Sequence, residues 1–89
     1  MVKTSLTLGQ ALRLRREELH LRQDEVADRL GTSQGNLSRW ERDLTEPREI
    51  ETYRVVADFL EVSTPQLAGL IAESARQRVL KDLALLQEQ

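Results

Sequence analysis

The sequence predicts an all-α fold: a compact bundle of five helices, the last of them extended, around one small core. Three observations carry the prediction. Apolar residues recur at three- and four-residue steps along most of the chain, and no segment alternates with period two for long enough to argue a strand. Breakers and caps interrupt that pattern at Gly31, Ser33, Pro47 and Pro65. At 89 residues the chain has the size of one domain, and with aromatics at 3% its core must be aliphatic.

The first helix is expected over about Leu8 to Leu19, with Leu8, Leu12 and Leu19 on one side. The second is "QDEVADRL", with Asp24 and Glu25 in the first turn, where the helix dipole favours acids. It buries Val26, Ala27 and Leu30 and stops at Gly31, which tolerates the left-handed backbone that ends helices. Ser33, with Thr32 beside it, supplies an N-cap oxygen to a third helix of about ten residues. "LTEPREI" is a turn, because Pro47 disfavours helix in the residue before it. A fourth helix covers roughly Ile50 to Leu60 and buries Ile50, Tyr53, Val56, Ala57 and Leu60. Thr64 or Ser63 then caps a fifth, with Pro65 at its first position, where proline is tolerated.

Composition narrows the function. Hydrophobic residues at 39% and charged residues at 31% are ordinary for a soluble domain. No apolar run approaches a membrane span, and "MVKTSLTLGQ" is not a signal peptide, so the cytoplasm is the expected compartment and no membrane partner is expected. Without cysteine there is no disulfide framework, thiol nucleophile or cysteine zinc site. One histidine, His20, in a turn and scattered carboxylates assemble no catalytic or metal site, and "GTSQG" lacks the lysine of a phosphate loop. Neither an enzyme nor a cofactor is expected. The net charge of −2 argues against indiscriminate coating of nucleic acid. Residues 1–48 nevertheless carry a balance of +1 and residues 49–89 one of −3, so the placement of the arginines matters more than the total.

Two short helices joined by a three-residue turn around Gly31 and packed on a third form a helix-turn-helix signature. On the third helix Gln34, Gly35, Ser38, Arg39 and Arg42 share one face, while Leu37 and Trp40 lie opposite, with Asn36 near them and Glu41 on the flank. Any surface helix has a polar face. This one holds no acid in a chain with 15 of them, and it lies on the element that enters a DNA major groove. Gly35 costs roughly 1 kcal/mol relative to alanine inside a helix. At the exposed tip it would let the backbone approach a phosphate or a thymine methyl; a tolerant exposed site is the plainer alternative.

At these residues the chain resembles the phage Cro/repressor-type (Xre-like) helix-turn-helix family, whose five-helix domains bind operator DNA as dimers. The resemblance lies in "LRLRREELHLRQDEVADRLGTSQGNLSRWERD", then Pro47, "IETYRVVADFLEVS" and "PQLAGLI", over residues 8 to about 71. It implies that Gln34 pairs with adenine N6 and N7 and that Arg39 reaches guanine O6 and N7. Ser38 would touch a base or a phosphate. Gln23 would hold a phosphate and brace Gln34, and Arg42 and Arg48 would hold phosphates. Ser33 and Asn36 join this bracing set at lower rank. Arg16 and Glu41 would form an internal ion pair between the first and third helices. The chain departs from the family at Arg22, where a Ser or Thr cap is usual and where a phosphate contact is the compensation. It departs again at His20 and Glu61, in turn positions usually held by glycine, at Arg15 within the buried stripe, and at Gly35, the departure that bears on specificity.

These readings divide the chain into a DNA-binding domain over 1–71 and a C-terminal helical extension over 72–89. Along the extension Ile71, Ala75, Val79, Leu80, Leu83 and Leu86 make an apolar stripe with no evident partner in the same chain. A homodimer contact is the first expectation. Folding back on the first helix, a frayed tail, or a foreign partner such as a toxin or an antagonist peptide are the others. A dimer would set two reading helices roughly 34 Å apart, which implies an approximate inverted repeat in double-stranded DNA. The expected function is a sequence-specific transcriptional regulator, a repressor. A protein-interaction role such as an antitoxin or adaptor is the alternative.

Overall fold

Thr7 opens the first helix with a reciprocal cap: its hydroxyl accepts from the Gln10 N–H at 3.1 Å and its own N–H donates to Gln10 Oε1 at 3.0 Å. In the computed structural model, which describes residues 6–87, five helices follow in order. They are α1 (Leu8–Glu18), α2 (Gln23–Leu30), α3 (Gln34–Glu41), α4 (Ile50–Leu60) and α5 (Thr64–Gln87). The expected ends of the chain, residues 1–5 and 88–89, lie outside the described residues.

Each helix stops where its local chemistry dictates. Gly31 takes φ 70° after α2, and the Thr32 N–H returns to the Ala27 carbonyl at 3.0 Å. Ser33 caps α3 by accepting from the Asn36 N–H at 3.1 Å. At α5 the cap is Ser63 rather than Thr64: its hydroxyl accepts from the Gln66 N–H at 3.2 Å, and its N–H donates to Gln66 Oε1 at 2.8 Å. Arg22 precedes α2 without a side-chain cap, but its N–H donates to Glu25 Oε1 at 2.9 Å, so one orphan donor is met from inside the helix. His20 and Glu61 do take left-handed backbone, at φ 55° and 57°, and Asp43 joins them at 59°.

The core is aliphatic with one indole: Leu8 and Leu12 of α1, Val26, Ala27 and Leu30 of α2, Leu37 and Trp40 of α3, Val56 and Ala57 of α4, and Leu67 of α5. Helix α1 touches α3, α4 and α5, and α4 touches α1, α2 and α5, so these two helices tie the bundle together. Two residues expected inside are not. Leu19 is 37% exposed, because α1 ends at Glu18 and the left-handed turn at His20 carries the chain away from the stripe. Ile50 is 69% exposed, because the first turn of α4 projects past the core. Tyr53 and Leu60 are half-buried against the core's edge.

Arg15 does not break the buried stripe. Its guanidinium reaches the end of α4, where Nε donates to the Phe59 carbonyl at 3.0 Å and Nη2 meets Glu61 Oε1 at 2.9 Å. The aliphatic stem packs while the charge answers the unpaired carbonyls of a helix C-terminus.

Candidate nucleic-acid interface

Helix α3 is anchored by its buried side. Leu37 is fully buried, Trp40 nearly so, and the Glu41 carboxylate has no exposed side-chain surface. Arg16 holds that carboxylate with two bonds, Nε to Oε2 at 2.7 Å and Nη2 to Oε1 at 3.0 Å. Gln23 Nε2 adds a third at 3.0 Å, and Arg13 Nε lies 3.8 Å from the same oxygen. Burial alone would push the Glu41 carboxyl up. The hydrogen bonds from Arg16 and Gln23, with the charges of Arg16 and Arg13, outweigh it and hold the group below the usual carboxylate value. The bond to Glu41 also raises Arg16, against the opposing effect of its burial.

Gln23 therefore fastens α2 to the end of α3. Among the described residues no hydrogen bond joins it to Gln34.

The opposite side of α3 is open. Gln34, Gly35, Asn36, Arg39 and Arg42 are exposed and Ser38 is half-buried, while the acid Glu41 is turned inward. A Cβ on Gly35 would meet nothing nearer than Arg39 Nη1 at 3.8 Å, so the glycine is not required by packing within this chain. Sequence reasoning missed a short relay on this surface. Asn36 Nδ2 donates to Thr32 Oγ1 at 3.1 Å, and Asn36 Oδ1 accepts from Arg39 Nη2. That relay directs the Arg39 guanidinium along the helix tip; the pairing of i and i+3 residues was its available signal. Arg42 folds back on its own helix, with Nε 3.4 Å from the Ser38 carbonyl. Arg48 is exposed in the turn before α4. Arg22 is exposed but paired with Asp24 at 3.0 Å, an interaction that raises the arginine and lowers the aspartate.

A second constellation, not foreseen from sequence, fixes how α3 leaves the domain. The Asp43 carboxylate accepts from the Thr7 hydroxyl at 2.6 Å, the Gly9 N–H at 2.9 Å and the Ser74 hydroxyl at 2.9 Å. Ser74, fully buried, in turn accepts from the Leu8 N–H at 2.8 Å. Gly9 lies so close to the end of α3 that a Cβ there would stand 2.5 Å from the Glu41 carbonyl oxygen. Arg78 closes the cluster, with Nη1 on the Asp43 carbonyl at 3.1 Å and Nη2 on Glu46.

A helix-turn-helix family model matches residues 12–67, well over half the chain. The chain belongs to the helix-turn-helix family. Solved structures place it among the Cro/repressor-type members. The P22 c2 repressor, in complex with the synthetic operator 9T, is 32% identical with a TM-score of 0.62, over 71% of this chain and 94% of that one. The P22 c2 repressor DNA-binding domain in solution is 33% identical with a TM-score of 0.61, over 75% and 86%. The clp gene regulator ClgR from Corynebacterium glutamicum is 32% identical with a TM-score of 0.57, over 91% of this helix-turn-helix chain and 86% of its own. No curated protein sequence matches. Among the described residues no single helix is long and apolar enough to cross a membrane.

The stripe residues of α5 divide into two groups. Val79, Leu83 and Leu86 are 56%, 50% and 65% exposed, while Leu80, at 45%, lines a cavity with Thr7, Gln10 and Leu44. Ile71 packs against the core, and Ala75 is half-buried.

Proposed function

We propose that this DNA-binding transcriptional regulator reads a specific operator with the exposed face of α3, acts as a cytoplasmic homodimer and represses by occluding a promoter. The observation that carries the reading is the outward face of α3: amide, hydroxyl, guanidinium and bare backbone, with the helix's one acid turned inward onto Arg16 and Gln23. Gln34, Ser38 and Arg39 are the base-contacting set, and Gly35 gives the backbone its approach. Arg22, Gln23, Ser33, Arg42 and Arg48 serve the phosphates, and Asn36 braces Arg39. Arg22 must exchange Asp24 for a phosphate to do so, a trade between two anions at an exposed site.

The dimer reading rests on the exposed apolar side chains of α5, Val79, Leu83 and Leu86 among them. Two copies would place two α3 helices roughly one DNA turn apart and favour an approximate inverted repeat. Linking them multiplies a modest single-domain affinity.

Titration onto a randomised DNA pool at two salt concentrations, with sequencing of the retained fraction, tests the reading. An inverted repeat is expected, losing its consensus at different positions in Gln34→Ala and Arg39→Ala. Retention without enrichment, vanishing at modest salt, would leave the α3 face without a reading role and favour the protein-interaction alternative.

A further inference from the structure

The outward surface of α5 changes size along its length. Ala68, Ala72 and Ala75 occupy the stripe in the N-terminal half of the helix, and Val79, Leu83 and Leu86 continue it in the C-terminal half. At about 100° per residue these six share one face, which lies about 140° around the helix from Ser74, with Arg78 to one side at about 100°. Ser74 is fully buried on Leu8 and Asp43, and Arg78 is bonded to Asp43 and Glu46, so the helix cannot roll to bury the stripe in its own domain. Beside the small half, α4 and α5 enclose an apolar groove of about 330 Å³ lined by Tyr53, Thr64, Leu67, Ala68, Ile71 and Ala72.

We infer that α5 pairs antiparallel with α5 of a second copy, with Val79 on the two-fold axis, so that the large half of each helix seats on the small half and groove of the other. This rests on the homodimer reading and adds its orientation and register. The sequence spacing supports that register: Leu83 and Ala75 lie four residues either side of Val79, and Leu86 and Ala72 lie seven. In an isologous contact Leu83 therefore meets the partner's Ala75, Leu86 meets the partner's Ala72 beside the groove, and every contact occurs twice. Asp82, on the same flank of the stripe as Arg78, comes close to the partner's Arg78, opposite charges at the rim. A parallel pair would instead set leucine against leucine and alanine against alanine, holding the helices apart at one end and leaving a gap at the other.

The chain has no cysteine, so engineered disulfides report the register directly. Small residues let helix axes approach to about 8 Å, which brings the two copies of a residue on the axis within the ~7 Å Cα limit of a disulfide. Under mild oxidation Val79→Cys is expected to become mostly covalent dimer, as is the double variant Ala72→Cys with Leu86→Cys. Leu86→Cys alone is expected to stay uncrosslinked, because its two copies would lie roughly 20 Å apart along the helices. Sedimentation of the unmodified chain runs beside them. Crosslinking of Leu86→Cys alone would overturn the antiparallel register and leave the homodimer reading standing. So would a sedimenting dimer that none of the variants captures. A chain that sediments as a monomer throughout and never crosslinks would overturn both.

Discussion

The Thr7 hydroxyl donates to Asp43 Oδ2 at 2.6 Å, across 36 residues of sequence, and ties the cap of α1 to the second residue beyond the end of α3. Thr7 thereby both accepts from the Gln10 N–H and donates to Asp43, so one side chain satisfies a helix start and fixes a tertiary contact.

Asp43→Asn is expected to lower stability by about 2 kcal/mol, the range for losing bonds to a charged acceptor. Asparagine offers one oxygen where three donors converge, and its amide would point a hydrogen at one of them. Urea unfolding followed by circular dichroism checks it; an unchanged midpoint would show that water replaces the carboxylate without loss.

Glu41→Gln is expected to cost about 3 kcal/mol, because Arg16 would keep its charge, with its carboxylate partner gone, in a largely enclosed site. The pH dependence has a definite sign. A carboxyl held below its unfolded value contributes stability above that unfolded value and loses it as pH falls through the folded one. The unmodified chain should therefore lose stability on acidification through and below the usual carboxylate range, and Glu41→Gln should flatten that limb. Parallel acid limbs in the two proteins would contradict it.

Gly9→Ala and Gly35→Ala make the same chemical change with opposite expected results. At Gly9 the new methyl would lie 2.5 and 2.6 Å from the backbone carbonyls of Glu41 and Trp40, so a loss of about 2 kcal/mol is expected despite alanine's helix preference. At Gly35 the space is open, and a gain of up to about 1 kcal/mol is expected. Operator affinity of Gly35→Ala should nevertheless fall. A variant that is both more stable and equally tight would show that the glycine serves no approach to DNA.

His20→Gly is expected to raise the thermal midpoint, by relief of about 1 kcal/mol of left-handed backbone strain at φ 55°. Glu61 is the poorer test, since its carboxylate also holds Arg15.

Periodicity made the five helices legible, because the core stripes of α1, α2 and α4 are amphipathic and the breakers between them are specific. The Arg16–Glu41 pair was legible through family register alone. Asp43 was not: its partners Thr7, Gly9 and Ser74 stand 36, 34 and 31 residues away, and nothing local distinguishes an aspartate that collects donors from one in solvent. Gly9 was missed for the same reason, since its constraint comes from carbonyls of another helix. Ile50 misled because periodicity reports which side of a helix is apolar, not how far along its length the core extends.

Among the described residues Arg78 is the last of α5 with a hydrogen bond to the rest of the domain, and the nine residues after it, 79–87, continue as helix with exposed side chains. A segment that short is marginal in water without a surface to lie on. Amide exchange should therefore drop sharply across Arg78, slow in the turns that Ser74 and Arg78 clamp and fast beyond them. Ordering that outer stretch then becomes part of the free energy of whatever covers it, which makes association weaker, and more sensitive to temperature, than its leucines alone would suggest.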